Sequence, residues 1–370
     1  MPVKLVQFGD PHLDGAFAGL SPRAAAVVRQ RRRALLGEVV RLANNEKADL
    51  LICTGDLFDS QTPYADTLDA AAAAFSRAEM PVFVAPGNHD WYDSKSPYAS
   101  ARWSANVHIF KGQLETVALE SPGCRVTGFG YTERNPAGRF LEGYRETQDD
   151  LINILAAHGE LKQSRDGQYA VATHADVTAA GFDYAAFGHI HDYSAVKLGH
   201  TLAVVNGGLC ARGFDEYGEK GAVVARVEKR YAEARLVPLG GERCHSAEIL
   251  CTAEDTVEAV ARKITENCPY PSDRVFLRVT LSGQAAPRLR DVEAALSAFL
   301  SVRIEDKTKK AEPLFARAGE DSLAGLFIGN MKKKIEAAGA EEKALLETAL
   351  YYGLAALDGR EQPAAREVSP

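Results

Sequence analysis

Four short segments each set hard or borderline metal ligands directly after an apolar run: Phe8-Gly9-Asp10-Pro11-His12, Thr54-Gly55-Asp56-Leu57-Phe58-Asp59, Pro86-Gly87-Asn88-His89-Asp90 and Phe187-Gly188-His189-Ile190-His191. A fifth, Ala156-Ala157-His158-Gly159, follows the apolar run 151–155. The candidate ligands are Asp10, His12, Asp56, Asn88, His158, His189 and His191. They offer only oxygen and imidazole nitrogen, donors that suit Mn, Fe, Zn or Mg rather than thiophilic ions. So many donors exceed what one ion with an open position needs. They fit two ions about 3.5–4 Å apart sharing a carboxylate. Asp56 is the expected bridge, because two cations so close need an anion between them. Each segment alone has a bland reading: His-x-His as two surface histidines, Gly-Asn-His-Asp as a turn. Five in this order, each closing an apolar run, do not reduce to it.

The elements that must hold these residues follow from the pattern around them. Short strands are expected at 3–8, 49–53, 81–85, 126–129, 152–156, 184–187, 203–205 and 222–227. Helices are expected over 22–45, with Ser21 as N-cap and Pro22 at the first position, and over the alanine-rich 64–79. Strands alternating with helices imply a layered α/β fold, and the later strands, lacking helices between them, imply a partly antiparallel sheet. Ligands of such folds gather at the carboxyl ends of the strands. Gly9, Gly55, Gly87 and Gly188 stand beside ligands, where the chain turns sharply and approaches itself closely.

The pattern breaks near Pro238-Leu239-Gly240-Gly241. A smaller unit is expected after it: a strand over 275–281, an amphipathic helix over 289–300, a strand at 302–304, then helices at 321–337 and 341–357 separated by Gly339, and a polar tail from Asp358. This gives three regions: 1–240, 241–312 and 313–370.

The motif order D-x-H, GD-x-x-D, GNHD, HG, GHIH resembles the calcineurin-like metallophosphoesterase superfamily. Asp10–Leu20 (DPHLDGAFAGL), Phe182–His191 (FDYAAFGHIH) and Phe214–Gly221 (FDEYGEKG) resemble its DNA repair exonuclease branch, which holds SbcD and YhaO. The resemblance is good over 1–230. It implies an α/β/β/α sandwich with a smaller α+β cap and terminal helices. One ion would take Asp10, His12, Asp56 and His191; the other would take Asp56, Asn88, His158 and His189. His89 would stay off the metals as general acid or transition-state donor, with Asp90 orienting it. The family sets the HG histidine roughly thirty residues before the GH-x-H pair. His158 is followed by Gly159 and fits that interval; the alternative, His174, stands much closer and beside Thr173, a helix N-cap candidate. Asn206-Gly207-Gly208 departs from the family's usual Pro-Gly-Ser or Pro-Gly-Asn turn near the substrate. The resemblance also implies two divalent ions, Mn foremost, DNA as substrate, an SMC-like coiled-coil ATPase partner (SbcC- or YhaN-like), and admits a homodimer.

Composition sets limits on these readings. The net charge is −7, with 25 Lys/Arg against 29 Asp/Glu in 1–240 and 18 against 21 in 241–370. A protein that binds DNA alone usually carries a basic excess, so here local patches or a partner would supply phosphate contacts. Arg29–Arg33, Lys307–Lys310 and Lys332–Lys334 read first as solvated charge. Trp91, Tyr92 and Trp103 follow the GNHD loop and read equally as base-stacking or packing residues. The six cysteines have no zinc spacing and read as free thiols. There is no signal-peptide layout and no membrane-length apolar run, so the expected location is cytoplasmic, off the membrane. Two other readings compete with a nuclease: a small-molecule or nucleotide phosphodiesterase, and a metal-bound but inactive scaffold.

Overall fold

A computed structural model describes residues 2–357 apart from 18, 148, 168, 253, 285–286, 309–314 and 316. Its central strands are buried on both faces. In Val3–Phe8, Val3 and Leu5 enter one apolar cluster while Val6 and Phe8 enter another, as alternation in a doubly covered strand requires. Four parallel strands, Val3–Phe8, Leu50–Cys53, Val82–Val84 and Val107–Ile109, are continued antiparallel by Gly221–Glu228 and Tyr231–Pro238 into a six-stranded sheet. A second six-stranded sheet has Thr201–Val205, Tyr184–Gly188, Ile152–His158 and Cys124–Phe129 parallel, with antiparallel edges Ser194–Leu198 and Glu115–Leu119.

The inner faces of the two sheets share one core, with Leu5, Ile52 and Phe83 from the first packed among Val126, Ile154 and Ala186 from the second. Helices Pro22–Asn45 and Ala65–Phe75 cover the outside of the first sheet, and His174–Ala180 covers the second. The fold is therefore the layered α/β class read from the sequence. A polar tie crosses the inner core. Gln7 Nε2 donates to the Phe187 and Val204 carbonyls, both at 3.1 Å, and Tyr184 Oη donates to Gln7 Oε1 at 2.6 Å. Both the nitrogen and the oxygen of this buried amide thus have partners, and the carboxyl ends of the two sheets are held together.

The chain divides into two compact units. The first is Met1–Ala247 with Ile264–Val279 and Glu293–Arg303; the second is Glu248–Lys263, Thr280–Val292 and Ile304–Pro370. Arg243–Cys251, Val275–Gly283 and Ser301–Asp306 form a three-stranded sheet. In the second unit, helices Leu323–Ala337 and Ala340–Leu357 pack through Ile328, Met331, Ile335 and Leu350. Ser322 caps the first of these, its Oγ accepting from Gly325 N at 3.1 Å.

Some elements differ from the sequence pattern. The helix expected over 289–300 ends at Ala295. Strands Ser194–Leu198, Tyr231–Pro238 and Arg243–Cys251 are additions to the expected elements, as is helix Val257–Glu266, whose apolar Val257, Val260, Ala261 and Ile264 recur at helical spacing. The polar tail from Asp358, together with Lys309 and Lys310, lies outside the described residues. No helix among the described residues is long and apolar enough to cross a membrane.

Candidate metal centre

The parallel strands of both sheets end at one place. Val3–Phe8 leads to Asp10 and His12, Leu50–Cys53 to Asp56, and Val82–Val84 to Asn88. From the second sheet, His158 is the last residue of Ile152–His158, and His189 and His191 follow Tyr184–Gly188. The turns are tighter than glycine alone explains. Only Gly55 among the four expected glycines has positive φ (97°); the ligands themselves take it, with Asp10 at 54°, His12 at 42°, Asp56 at 46° and His189 at 89°. Left-handed backbone at non-glycine residues costs energy and gathers at functional sites. Gly87 serves close approach instead: a Cβ there would stand 2.2 Å from Asp56 Oδ1.

The hydrogen bonds fix which imidazole nitrogen faces inward. His158 Nδ1 donates to the Thr54 carbonyl at 2.8 Å, since a carbonyl only accepts. His12 Nδ1 is 3.1 Å from Asp59 Oδ1, and His191 Nδ1 is 2.7 Å from Glu216 Oε1. Each Nδ1 anchored this way presents a lone pair at Nε2, the arrangement of metal-ligating histidines. The inward atoms then stand close together. His12 Nε2 faces His191 Nε2 at 3.2 Å. Asn88 Oδ1 lies 3.0 Å from His158 Nε2 and 3.1 Å from His189 Nδ1. Asp56 Oδ2 stands between the two groups, 3.6 Å from His12 Nε2 and 3.7 Å from His158 Nε2. Bonds of about 2.0–2.2 Å to one ion set neighbouring donors roughly 3–3.5 Å apart, so these spacings and this donor chemistry fit two divalent ions with Asp56 between them. His158, and not His174, stands in the cluster; His174 opens helix His174–Ala180 behind a Thr173 capping box.

The electrostatics agree with that fit. Burial pushes the Asp10 carboxyl well above its ordinary range, with Asp56 adding repulsion against the pull of His191, and burial raises Asp56 as well. Burial takes His158 and His189 down to about 3 and His12 well below its ordinary value. Neutral imidazoles are what a metal requires, and buried carboxylates stay ionised only beside a cation. For His191, burial is outweighed by the Glu216 hydrogen bond and by Asp10, and its value rises.

One expected role is corrected. Asp90 does not reach the His89 ring. Its buried carboxylate accepts from Gly87 N (2.8 Å), Phe58 N (3.0 Å) and Tyr98 Oη (2.6 Å), which ties the GNHD loop to the loop after Asp56. Burial raises its pKa to about 7. The His89 ring is instead held by Asp59: Nδ1 donates to the Asp59 carbonyl at 3.0 Å, and the Asp59 carboxylate lies 3.7 Å away. Asp59, Glu216 and Arg212 are the residues that the ligand motifs alone miss. Asp59 stands in GD-x-x-D and Glu216 in the FDEYGEKG segment, so a signal was present for both. Two of the three aromatic residues pack: Trp103 stacks on Phe75 and Tyr98 and donates to the Tyr98 carbonyl, and Tyr92 rests on the same core. All six cysteines are free thiols, five of them buried.

The sequence profile described as Calcineurin-like phosphoesterase matches residues 3–193, a span that takes in every candidate ligand, and the chain belongs to that family. It is 28% identical over 233 residues to the uncharacterized metallophosphoesterase YhaO of Bacillus subtilis, covering 60% of this chain and 57% of that protein. It is 25% identical over 225 residues to SbcD, the D component of the SbcCD nuclease of Bacillus subtilis, covering 50% of this chain and 57% of that one. The chain thus spans little more than half the length of the curated relatives it matches. Among solved structures, a purple acid phosphatase from yellow lupin seeds aligns with a TM-score of 0.40 at 15% identity, over 64% of this chain and 52% of that one.

Proposed function

We propose that this chain is a dinuclear-metal phosphodiesterase acting on DNA, the nuclease subunit of an SbcCD-like complex in the cytoplasm. The observation that carries the phosphoesterase reading is the convergence of seven oxygen and imidazole donors at the ends of two sheets, with their lone pairs facing one another. Similarity to a nuclease component supports the choice of DNA. Asp10, His12, Asp56 and His191 would hold one ion, and Asp56, Asn88, His158 and His189 the other, Mn being our choice. Two such ions supply Lewis acidity, neutralising charge on the phosphoryl oxygens and acidifying water. The protein's own part is positioning and proton transfer. His89 keeps its Nδ1 proton on the Asp59 carbonyl, so it would act as the acid in its doubly protonated form, the second proton on Nε2 passing to the departing oxygen, with the Asp59 carboxylate 3.7 Å away to favour that cation. Asp90 fixes the loop that carries Asn88 and His89. We read 1–240 as the nuclease domain, 241–312 as a cap, and 313–370 as the C-terminal region whose helices Leu323–Ala337 and Ala340–Leu357 dock a coiled-coil ATPase.

A second reading, a phosphodiesterase for small molecules or nucleotides, has one specific observation in its favour. On helix Pro22–Asn45, Arg31 is already paired with Asp273, and Arg33 with Asp14 and Asp66, which takes charge away from any stripe offered to a DNA backbone. The experiment is Mn-dependent digestion of single- and double-stranded DNA beside bis-p-nitrophenyl phosphate, with and without the ATPase. Cleavage of DNA and of the small ester is expected. Hydrolysis of the ester with every DNA form left intact, ATPase included, would remove DNA from the proposal.

A further inference from the structure

Arg212 occupies a costly position. Its Nη1 donates to His12 Nε2 at 3.3 Å, the nitrogen that would ligate an ion, so a permanent cation borders a cluster whose chemistry fits two more. A guanidinium there repels bound metal ions, and the two do not share a common counter-ion cheaply. Asp59 Oδ1, which takes Arg212 Nη2 at 3.0 Å, already faces His12 Nδ1 at 3.1 Å. A purely structural ion pair has no need of this location.

The surrounding chain nevertheless fixes the residue there. Ala211, just before it, donates its N–H to the Glu242 carbonyl at 2.8 Å, and its own carbonyl accepts from Arg32 Nη2 at 2.7 Å. Arg212 N donates to Glu216 Oε2 at 2.9 Å, while Glu216 Oε1 faces His191 Nδ1 at 2.7 Å. One carboxylate therefore sets both a candidate ligand and the arginine backbone. The candidate ligands His12 and Asp56 have side chains 1% and 3% exposed, whereas that of Arg212 is 32% exposed. It stands at the open side, on the same residue, Asp59, that holds His89.

We propose that Arg212 grips a non-bridging oxygen of the substrate phosphate. The planar guanidinium fork matches phosphate geometry, and its bonds to an anion are charge-assisted. Repulsion toward the ions is relieved when the anionic ester arrives, so the arginine selects for a phosphate group and strengthens its hold as charge builds in the transition state. The ligand class is a phosphate ester with at least one ionised non-bridging oxygen. The inference rests on the phosphoesterase reading and adds a residue to it.

The test uses Mn-loaded full chain and the variants R212A, R212Q and R212K. Three quantities are measured: bound metal per chain, affinity for inorganic phosphate by calorimetry, and kcat and KM for bis-p-nitrophenyl phosphate. The expected result is wild-type metal content, phosphate binding weakened about tenfold or more, and kcat/KM down about a hundredfold in R212A, which is the loss of one or two charge-assisted bonds. R212K should recover part of the phosphate affinity, since it restores charge without the fork. R212Q keeps the question answerable if the alanine variant does not fold. Phosphate affinity equal to wild type in R212A and R212Q would overturn the proposal. So would loss of metal in step with loss of phosphate binding, which assigns Arg212 to the metal site instead. If wild type binds metal and phosphate yet cleaves no diester, the phosphodiesterase reading fails, and the Arg212 comparison is still decided by phosphate affinity.

Discussion

Asp59 and Asp90 are both acidic, both close to His89, and do different work. Chain adjacency favours Asp90 as the partner of His89, but neighbours in a tight loop point apart, and Asp90 turns inward to Gly87, Phe58 and Tyr98. The partner comes from thirty residues upstream, through the Asp59 carbonyl. Sequence motifs name the residues of such a site well and their mutual contacts poorly, because contacts depend on the direction each side chain leaves the turn. The two roles separate by measurement. His89→Ala should keep its metals and its unfolding midpoint and lose about 10²–10⁴ in kcat, the usual worth of a positioned proton donor. Asp90→Ala should instead strand three donors and destabilise the fold by about 2–4 kcal/mol in urea unfolding. A His89→Ala enzyme near wild-type rate would end the proton-donor assignment, and an Asp90→Ala chain of undiminished stability would end the loop-stapling one.

At the level of the element, helix Pro22–Asn45 shows what a charge run hides. Arg29–Arg33 reads as solvated, yet Arg32 is fully buried. The buried stripe of the helix runs Ala25, Val28, Arg32, Leu35, Leu36, Val39, Val40 and Ala43. Position 32 therefore lies on the apolar face at helical spacing, and periodicity held a signal that composition masked. What the sequence does not carry is the reason. Arg32 donates to the Pro11 and Ala211 carbonyls, at 3.3 and 2.7 Å, and stands 3.5 Å from Glu242, itself buried. Pro11 separates Asp10 from His12, and Ala211 precedes Arg212, so one helix side chain steadies two loops of the site. Among the described residues no hydrogen bond reaches the Glu242 carboxylate oxygens, which makes the pair sensitive to loss of one partner. Arg32→Met should cost about 3–5 kcal/mol by leaving a buried unpaired charge. The double variant Arg32→Met with Glu242→Leu should recover much of that stability in denaturant unfolding, but not the metal affinity, since the loop carbonyls remain untied. Equal stability of Arg32→Met and wild type would show that the pair contributes nothing.

The whole first unit is organised around the meeting of two sheets. Its ligand-bearing parallel strands are legible because each is a local pattern, an apolar run closed by a short motif, whereas the three-residue parallel strand Val107–Ile109 carries no motif and is not. The antiparallel edges, Ser194–Leu198 and Tyr231–Pro238, are not legible: both are half-exposed strands whose pairing is set by distant partners rather than by their own composition. Gln7 is likewise silent in the sequence, its role depending on Phe187 and Val204 far along the chain. The same architecture makes metal binding a matter of global stability. Asp10, His12, Asp56 and Asn88 come from the first sheet, and His158, His189 and His191 from the second. Ions held between them bind the folded chain and not the unfolded one, so free metal at a hundred times its dissociation constant should add about 2.7 kcal/mol. Thermal unfolding with and without Mn measures this as a rise in midpoint. The rise should nearly vanish in Asp56→Asn, because the carboxylate between His12 and His158 is the group that serves both halves. It should persist in His89→Ala, whose ring is held by Asp59 outside the proposed ligand set. A midpoint rise as large in Asp56→Asn as in wild type would mean that the ions bind elsewhere, and the bridging role of Asp56 would fall with it.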